Sequence, residues 1–487
     1  MQPIVTRDAI AEAYSQGLDA VVSLFEQVIG QMLEQEATLT ARVEELERQR
    51  ALDSHNRNKP PSSDPPGSKP VPKSLRQPSG KKSGGQPGHG GSSLRMAENP
   101  DRVVRHPPEH CDRCGASLLD APVVAVERRQ VIELPPVSIE VIEHQVESRR
   151  CACGQTSQGS FPEGLEGSVQ YGSGLKALAV YLNQGQLLPM ERTAEILTDV
   201  FGCQSFSQGT LANAVEECFD GLAAVERAIK TGLAQADVVH IDETGLELGG
   251  KLHWLHVAST ASLTHYGWHA KRGPEGADAI GIVPQLQGVG MHDGLETYWR
   301  YGFVHALCNV HHLRELTFVS EQWSQAWATD MKTLLRQIKE AVAEARARGQ
   351  ARLSPEAQQE FETRYTSILA RGFAANPPPP RPPGTRGRPK RGRVLSLLDR
   401  LSTHRDAVLR FMRDFSVPFD NNQAERDLRM VKVKQKVSGC FRQPSGADMF
   451  CRIRGYISTV RKQRRQVLSC IQSAFLGHPV MPATAAE

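Results

Sequence analysis

Hydrophobic positions change their period several times along this 487-residue chain, and each change marks an element or domain boundary. Near the N-terminus the pattern is heptad. Leu18, Phe25, Met32, Leu39 and Leu46 recur every seven residues, with Val22, Ile29 and Val43 at the partner positions and Glu36 breaking that second series. Such a narrow apolar seam cannot be buried by a lone helix, so residues 1–52 are expected to form a coiled-coil helix that self-associates. The alternative is an amphipathic helix docked on the chain's own core. From 53 to 104 the periodicity disappears. Pro60-Pro61, Pro65-Pro66, Gly84-Gly85 and Gly90-Gly91, with Lys69, Lys73, Lys81 and Lys82, cannot build a packed core and read as a basic linker.

Beyond the linker, Val123–Leu134 and Val137–Val146 are β-like, within a small domain expected over 105–165. Residues 172–235 read as helices, with Arg192–Phe201, Gly202 and Ser207–Phe219 in a helix, turn, helix layout and Ser207 as the cap of its second helix. That layout suits DNA reading but also occurs in plain helical bundles. From Asp237 the pattern becomes strand-like: Val238–Ile241, Leu252–Ala258 and Leu263–Trp268, a helix within Gly276–Leu286, then Val289–His292, Gly302–Leu307 and a helix around His311–Phe318. Helical periodicity returns over 320–371 and 394–415, separated by a Pro/Arg-rich loop at 377–393. Asn422 is expected to cap a last helix running through Val437.

Composition adds three points. No apolar stretch approaches the roughly 20 residues needed to span a bilayer and no signal peptide is evident, so a cytoplasmic location is expected. Ten cysteines in such a chain point to metal ligands or buried thiols rather than disulfides. Charge is uneven: residues 1–50 carry four basic and nine acidic groups, whereas 421–470 carry twelve Lys or Arg against Glu425, Asp427 and Asp448. The basic end suits a polyanion such as nucleic acid, or else is a solvated face.

Two constellations carry candidate chemistry. Cys111-x2-Cys114 and Cys151-x-Cys153 resemble the two thiolate pairs of a zinc ribbon, although the second pair is one residue short; His106 or His110 could substitute as a ligand. Asp242 and Asp293 follow the first and fourth strand-like runs, so in a ribonuclease-H-like sheet their carboxylates would converge at one edge, where a hard divalent cation needs oxygen ligands. A third carboxylate could come from Glu425 in the first turn of the last helix, with Lys432 two turns along the same face to meet phosphate. Taken alone, Asn422-x-x-Glu425 is also a capping box and Asp293-Gly294 a turn.

Several stretches in order resemble the transposases of insertion-sequence family sixty-six. They are 58–64 (NKPPSSD), 84–91 (GGQPGHGG), Asp242-Glu-Thr244, Asp293-Gly294, Cys308-x2-His311-x2-Arg314, 417–442 and the 446–462 region. The resemblance covers nearly the whole chain. It implies a multidomain α/β protein: a ribonuclease-H-like catalytic core over 237–319 and 416–465, interrupted by an all-helical insertion at 320–415. A coiled-coil helix, zinc ribbon and helical DNA-binding region precede the core, and 466–487 forms a tail. The family's acidic triad falls on Asp242, Asp293 and Glu425. Two Mg²⁺ or Mn²⁺ ions about 3.5–4 Å apart would then clamp the scissile phosphate, and one structural Zn²⁺ would sit at the cysteines. Asp242 would bridge both ions. Cleavage at the element's ends would free a 3′-OH that attacks target DNA.

Arg426, Arg429, Lys432, Lys434 and Lys436 are the candidate DNA contacts. The expected partners are the element's terminal inverted repeats, target DNA, a second copy of the chain and accessory proteins of the same element, in a bacterial, nucleoid-associated setting. Cys308, His311 and Arg314 read as core packing behind the site rather than as a second metal site. Arg386–Arg391 (RGRPKR) resembles an AT-hook, or is a solvated basic loop. Two rival functions remain at this level: a non-catalytic zinc-containing DNA-binding regulator, and a structure-specific nuclease without strand transfer.

Overall fold

A computed structural model describes residues 6–50, 94–134, 137–378 and 392–483. The proline- and glycine-rich motifs at 58–64 and 84–91 and the RGRPKR run at 386–391 lie outside the described residues. Two compact units result. One comprises Met1–Pro72, Gly167–Ala194 and Ser207–Glu487; the other comprises Lys73–Glu166 and Glu195–Phe206.

The larger unit begins with helix α1 (Arg7–Gln16), which Gly17 ends at φ +106°, and α2 (Leu18–Arg50). The heptad seam runs along α2. Leu18, Phe25, Met32 and Leu39 are each more than half exposed, so in a single chain the stripe is uncovered. Arg48, near the end of α2, lies 5.5 Å over the Trp323 ring.

In the smaller unit the valine-rich runs 123–134 and 137–146 are not strands among the described residues, and Val124 and Val141 are 96% and 90% exposed. Alternation supplies a candidate strand, but a strand needs a partner and an apolar layer to cover it. The paired strands here are instead β1 (Ser148–Arg150) and β2 (Thr156–Gln158), antiparallel around the second cysteine pair.

Helices α3 (Ser173–Val180), α4 (Met190–Phe201), α5 (Gln208–Gly221) and α6 (Ala223–Ala234) precede the sheet. Ser207 caps α5 as expected, its Oγ accepting from Thr210 N at 3.1 Å. The sheet has β3 (Val238–Leu248), β4 (Lys251–Ser259), β5 (Thr264–His269), β6 (Val289–His292) and β7 (Val304–Leu307) in the order β5-β4-β3-β6-β7. β3, β4 and β5 form an antiparallel meander turned by Gly249-Gly250; β6 and β7 add in parallel on the other side of β3. Helix α7 (Pro274–Ile280) lies in the crossover from β5 to β6.

β3 runs further than its apolar start suggested, so Asp242 is not at its end but within it. Its partnership changes there: β6 pairs only Val238–His240, whereas β4 pairs His240–Leu248.

Helices α8 (Asn309–Trp323), α9 (Ala326–Ala347), α10 (Pro355–Ala375), α11 (Arg393–Thr403) and α12 (Arg405–Arg413) share one core with β6 and β7, through Met291, Leu307, Leu334, Leu398 and Val408 among others. On the β3–β4–β5 side lie α13 (Asn422–Ser438), α14 (Pro444–Lys462) and α15 (Val467–Phe475). Leu246, Leu248, Leu255 and Val257 pack there with Ala424, Leu428 and Val431 of α13. No helix among the described residues is long and apolar enough to cross a membrane.

Candidate functional site

Strand pairing brings two of the predicted acids together. His240 on β3 is the partner of Met291 on β6, and Asp242 and Asp293 each lie two residues further on. Asp293 lies one residue past the end of β6, and its carboxylate comes within 4.8 Å of that of Asp242, which takes one face of β3 by the period-two alternation of the strand. That is also the face of Leu246 and Leu248, which α13 covers. The Asp293-Gly294 turn is real as well: Asp293 Oδ1 accepts from Leu295 N at 2.9 Å while Gly294 takes φ +96°. One side chain therefore makes the turn and lines the site.

A third carboxylate joins them, and it is not the expected one. Asp242, Glu243 and Asp293 each present an oxygen within 4.8 Å of the others. Glu243 is buried, accepts from Arg272 Nε at 2.9 Å and from Tyr298 Oη at 2.6 Å, and forms a 2.6 Å ion pair with Arg272 Nη2. Burial, Glu243 and Asp293 hold the Asp242 carboxyl well above the usual range, and Glu425 adds to the shift. Burial and Asp293 raise Glu243 too, against Tyr298 and Arg272. Arg272 is committed to Glu243, and neither Asp242 nor Asp293 has an ion-pair partner among the described residues. Crowded carboxylates without a matching cation are a donor set that fits a hard divalent ion. Sequence reasoning missed Glu243 because Arg272 and Tyr298 stand 29 and 55 residues away, with no local signature.

Glu425 belongs to a neighbouring group. Cys308, His311 and Glu425 each offer a ligand atom within 4.8 Å of the others, and His311 Nε2 lies 3.4 Å from Glu425 Oε1. The charge of Glu425 reaches Asp242, and that of Asp293 reaches His311. The two groups are thus electrostatic neighbours.

The capping box, the alternative reading of Glu425, does not form. Asn421, not Asn422, precedes the helix, and it makes no side-chain cap. Its Oδ1 lies 2.8 Å from His240 Nδ1, its Nδ2 donates to Ile241 O at 2.9 Å and its backbone N donates to Cys308 Sγ at 3.2 Å. Asn421 was taken up by tertiary partners remote in sequence. The Glu425 carboxylate is left facing His311.

The basic residues of α13 divide into two sets. Lys432 Nζ donates to Gly245 O at 2.5 Å, and Lys434 Nζ donates to Gly439 O at 3.0 Å and lies 3.8 Å over the Phe441 ring. Burial lowers both ammonium groups. Lys432 is thus tied to β3 rather than projecting freely. Arg426, Arg429 and Lys436 are exposed.

The cysteine pairs make matching turns. Cys111 N donates to Ala116 O and Gly115 N to Cys111 O, with Gly115 at φ +73°. Cys151 N donates to Gln155 O and Gly154 N to Cys151 O, with Gly154 at φ +91°. The short second pair closes the same kind of turn with one residue fewer. Cys111 is lowered by Arg113 and Cys114, and Cys151 by Cys153, so each pair is internally close. The four sulfurs do not gather into one ligand group in this structure, and neither His106 nor His110 joins either pair in one.

The fold and site define a mixed α/β protein with a carboxylate cluster on its sheet and paired-cysteine turns. Comparison with known families is specific. The model described as "Transposase IS66 family" matches residues 168–449, more than half of the chain, and the chain belongs to that family. The zinc-finger binding domain of transposase IS66 matches residues 108–154, and a family of unknown function matches residues 8–95. No curated protein matches the chain. The protein is therefore a transposase, a DNA-processing and DNA-binding enzyme with a zinc-finger domain and its structural zinc.

Proposed function

We propose that this transposase cuts DNA at the ends of its element and joins the freed 3′-OH to target DNA, using Asp242, Asp293 and Glu425. The observation that carries this reading is the meeting of the Asp242 and Asp293 carboxylates within 4.8 Å, two residues past the His240–Met291 pair, with the charge of Glu425 felt at Asp242. A meander of three strands extended in parallel by two, with a helix-borne acid over it, supports a ribonuclease-H-like core of 237–319 and 416–465, interrupted by a helical insertion at 320–415.

Asp242, Asp293 and Glu425 would together hold two divalent cations, Mg²⁺ or Mn²⁺, with Asp242 serving both. Bound there, such ions activate the attacking oxygen and stabilise the leaving one. The chain's own residues do the rest. Arg272 and Tyr298 fix Glu243 and keep its charge behind Asp242. Asn421 ties the start of α13 to β3 and so sets the position of Glu425. Exposed Arg426, Arg429 and Lys436 would take phosphates, while Lys432 and Lys434 brace α13 against β3 and Phe441. The α4–α5 region would contribute further DNA contacts, the α2 seam would pair two copies of the chain, and Cys111, Cys114, Cys151 and Cys153 would hold the zinc.

Glu425→Gln tests the triad. It keeps size and polarity, so folding should change little, yet it removes the charge a divalent ion requires. Cleavage and joining of the element's ends in Mg²⁺ should fall by at least about a hundredfold, or 2.7 kcal/mol in the barrier. Near wild-type cleavage by this variant would remove Glu425 from the reaction.

A further inference from the structure

The group formed by Cys308, His311 and Glu425 is chemically unlike the carboxylates beside it. We propose that it is a zinc site, and that zinc bound there takes Glu425 away from Asp242 and Asp293 and so restrains the enzyme.

The donors are one sulfur, one imidazole nitrogen and one carboxylate oxygen, mutually within 4.8 Å. Ligands around tetrahedral zinc, at 2.0–2.3 Å from the ion, stand about 3.3–3.8 Å apart. His311 Nε2 and Glu425 Oε1, 3.4 Å apart, already stand at that spacing, and the remaining separations need to close by no more than about 1.5 Å. Sulfur and imidazole select zinc over the hard, oxygen-seeking Mg²⁺. Three protein ligands would leave one position for water.

Local structure already presents the three donors. Cys308 immediately precedes α8 and His311 lies in its first turn, with His311 N bonded to Cys308 O at 3.2 Å. Glu425 comes from the first turn of α13. The Asn421 N–H donates to Cys308 Sγ, as an outer-shell donor does to a ligating thiolate. His311 Nδ1 and Glu425 Oε1 are buried and have no hydrogen-bond partner among the described residues; the 3.4 Å approach of His311 Nε2 to Glu425 is not aligned as one. Plain core packing leaves those two polar atoms unexplained, whereas an ion would satisfy the carboxylate and fix the imidazole. On binding, the Cys308 S–H proton leaves to solvent, and the sulfur lone pair joins the metal.

Restraint follows because one carboxylate serves two groups, a clause that rests on Glu425 belonging to the triad. The binding itself does not depend on that reading.

The test uses the full chain purified with its zinc-finger zinc. Native mass spectrometry with added zinc should show about two ions per chain for wild type and about one for Cys308→Ser and for His311→Asn. Saturation of wild type at one, or two ions on Cys308→Ser, overturns the site. In case the variants misfold, Co²⁺ added to wild type should give tetrahedral visible bands with charge-transfer absorption of one sulfur–cobalt bond. Its absence overturns the site equally. Zinc should also slow cleavage in Mg²⁺ at least about tenfold in wild type, with each variant compared to its own zinc-free rate. Binding without inhibition overturns the sharing of Glu425, whereas no cleavage even without zinc indicts the triad reading instead.

Discussion

Replacing Asp242 by Asn should make this protein more stable when divalent metal is withheld. Asn keeps the oxygen that accepts from Glu243 N, a 2.8 Å bond, and removes only the charge. That charge stands within 4.8 Å of Asp293 and of Glu243, but Glu243 is offset by Arg272. One uncompensated pair remains, worth about 3.5 kcal/mol of repulsion at an effective dielectric near 20. Protonation limits the cost, since the raised Asp242 carboxyl takes up a proton more readily than an ordinary one. For this raised carboxyl the folded state binds more protons than the unfolded one above the ordinary value of 3.8, so stability falls as pH rises through the window between the two values.

After relaxation, Asp242→Asn should gain about 1–3 kcal/mol at pH 7.5 in EDTA, or roughly 3–8 °C in Tm. The gain should shrink towards zero below about pH 3, under the ordinary value of 3.8, where wild type is protonated in both states. Mg²⁺ should raise the wild-type Tm and largely close the gap, because the cation then offsets the same repulsion. Differential scanning calorimetry of both proteins, with EDTA and with Mg²⁺, reads all of this. A variant less stable than wild type in EDTA would refute the reasoning and mean that Asp242 is held by contacts other than like charges.

Cys111→Ser with Cys114→Ser should lower zinc by about one ion per chain in native mass spectrometry, and full retention would exclude these ligands. Deleting residues 10–50 should reduce the solution mass to that of a monomer by light scattering if the α2 seam pairs two chains; an unchanged mass refers the seam to another use. Burial pushes Glu226 up, but the hydrogen bonds and charges of His265 and Arg452 outweigh it and bring the carboxyl down to about 2. Its contribution is therefore present above about pH 4.5 and lost as pH falls from there towards 2. Glu226→Gln should cost about 1–3 kcal/mol at pH 7 by urea titration and flatten the wild-type loss in that window.

Much of the catalytic unit was legible because its signals are local. Alternation and glycine turns place β4 and β5 to within a residue or so and the start of β3, though not its end, Ser207 caps α5, and the family membership implied by the ordered motifs holds. Sequence reading failed where a residue's role depends on partners far along the chain. Val123–Leu134 has strand periodicity but no strand to pair with among the described residues. Asn422 reads as the cap of the last helix, but Asn421 precedes it. Only the approach of His240, Ile241 and Cys308, more than a hundred residues away, gives Asn421 its other task. Glu243 is likewise adjacent to Asp242 in sequence, yet nothing nearby foretells the Arg272 and Tyr298 that hold it.

Asn421 also bears on how such a chain can change over time. It fastens the returning end of the polypeptide to β3 and to the residue before α8, on the near side of everything between Asn309 and Asp420. Segments added or removed between those points, such as at the Pro/Arg-rich loop, need not disturb where Glu425 emerges, since loop length adds only slowly to the cost of closure. The intervening helices share a core with β6 and β7, so freedom to vary is confined to their connections, while the faces turned to the sheet are held by what they bury.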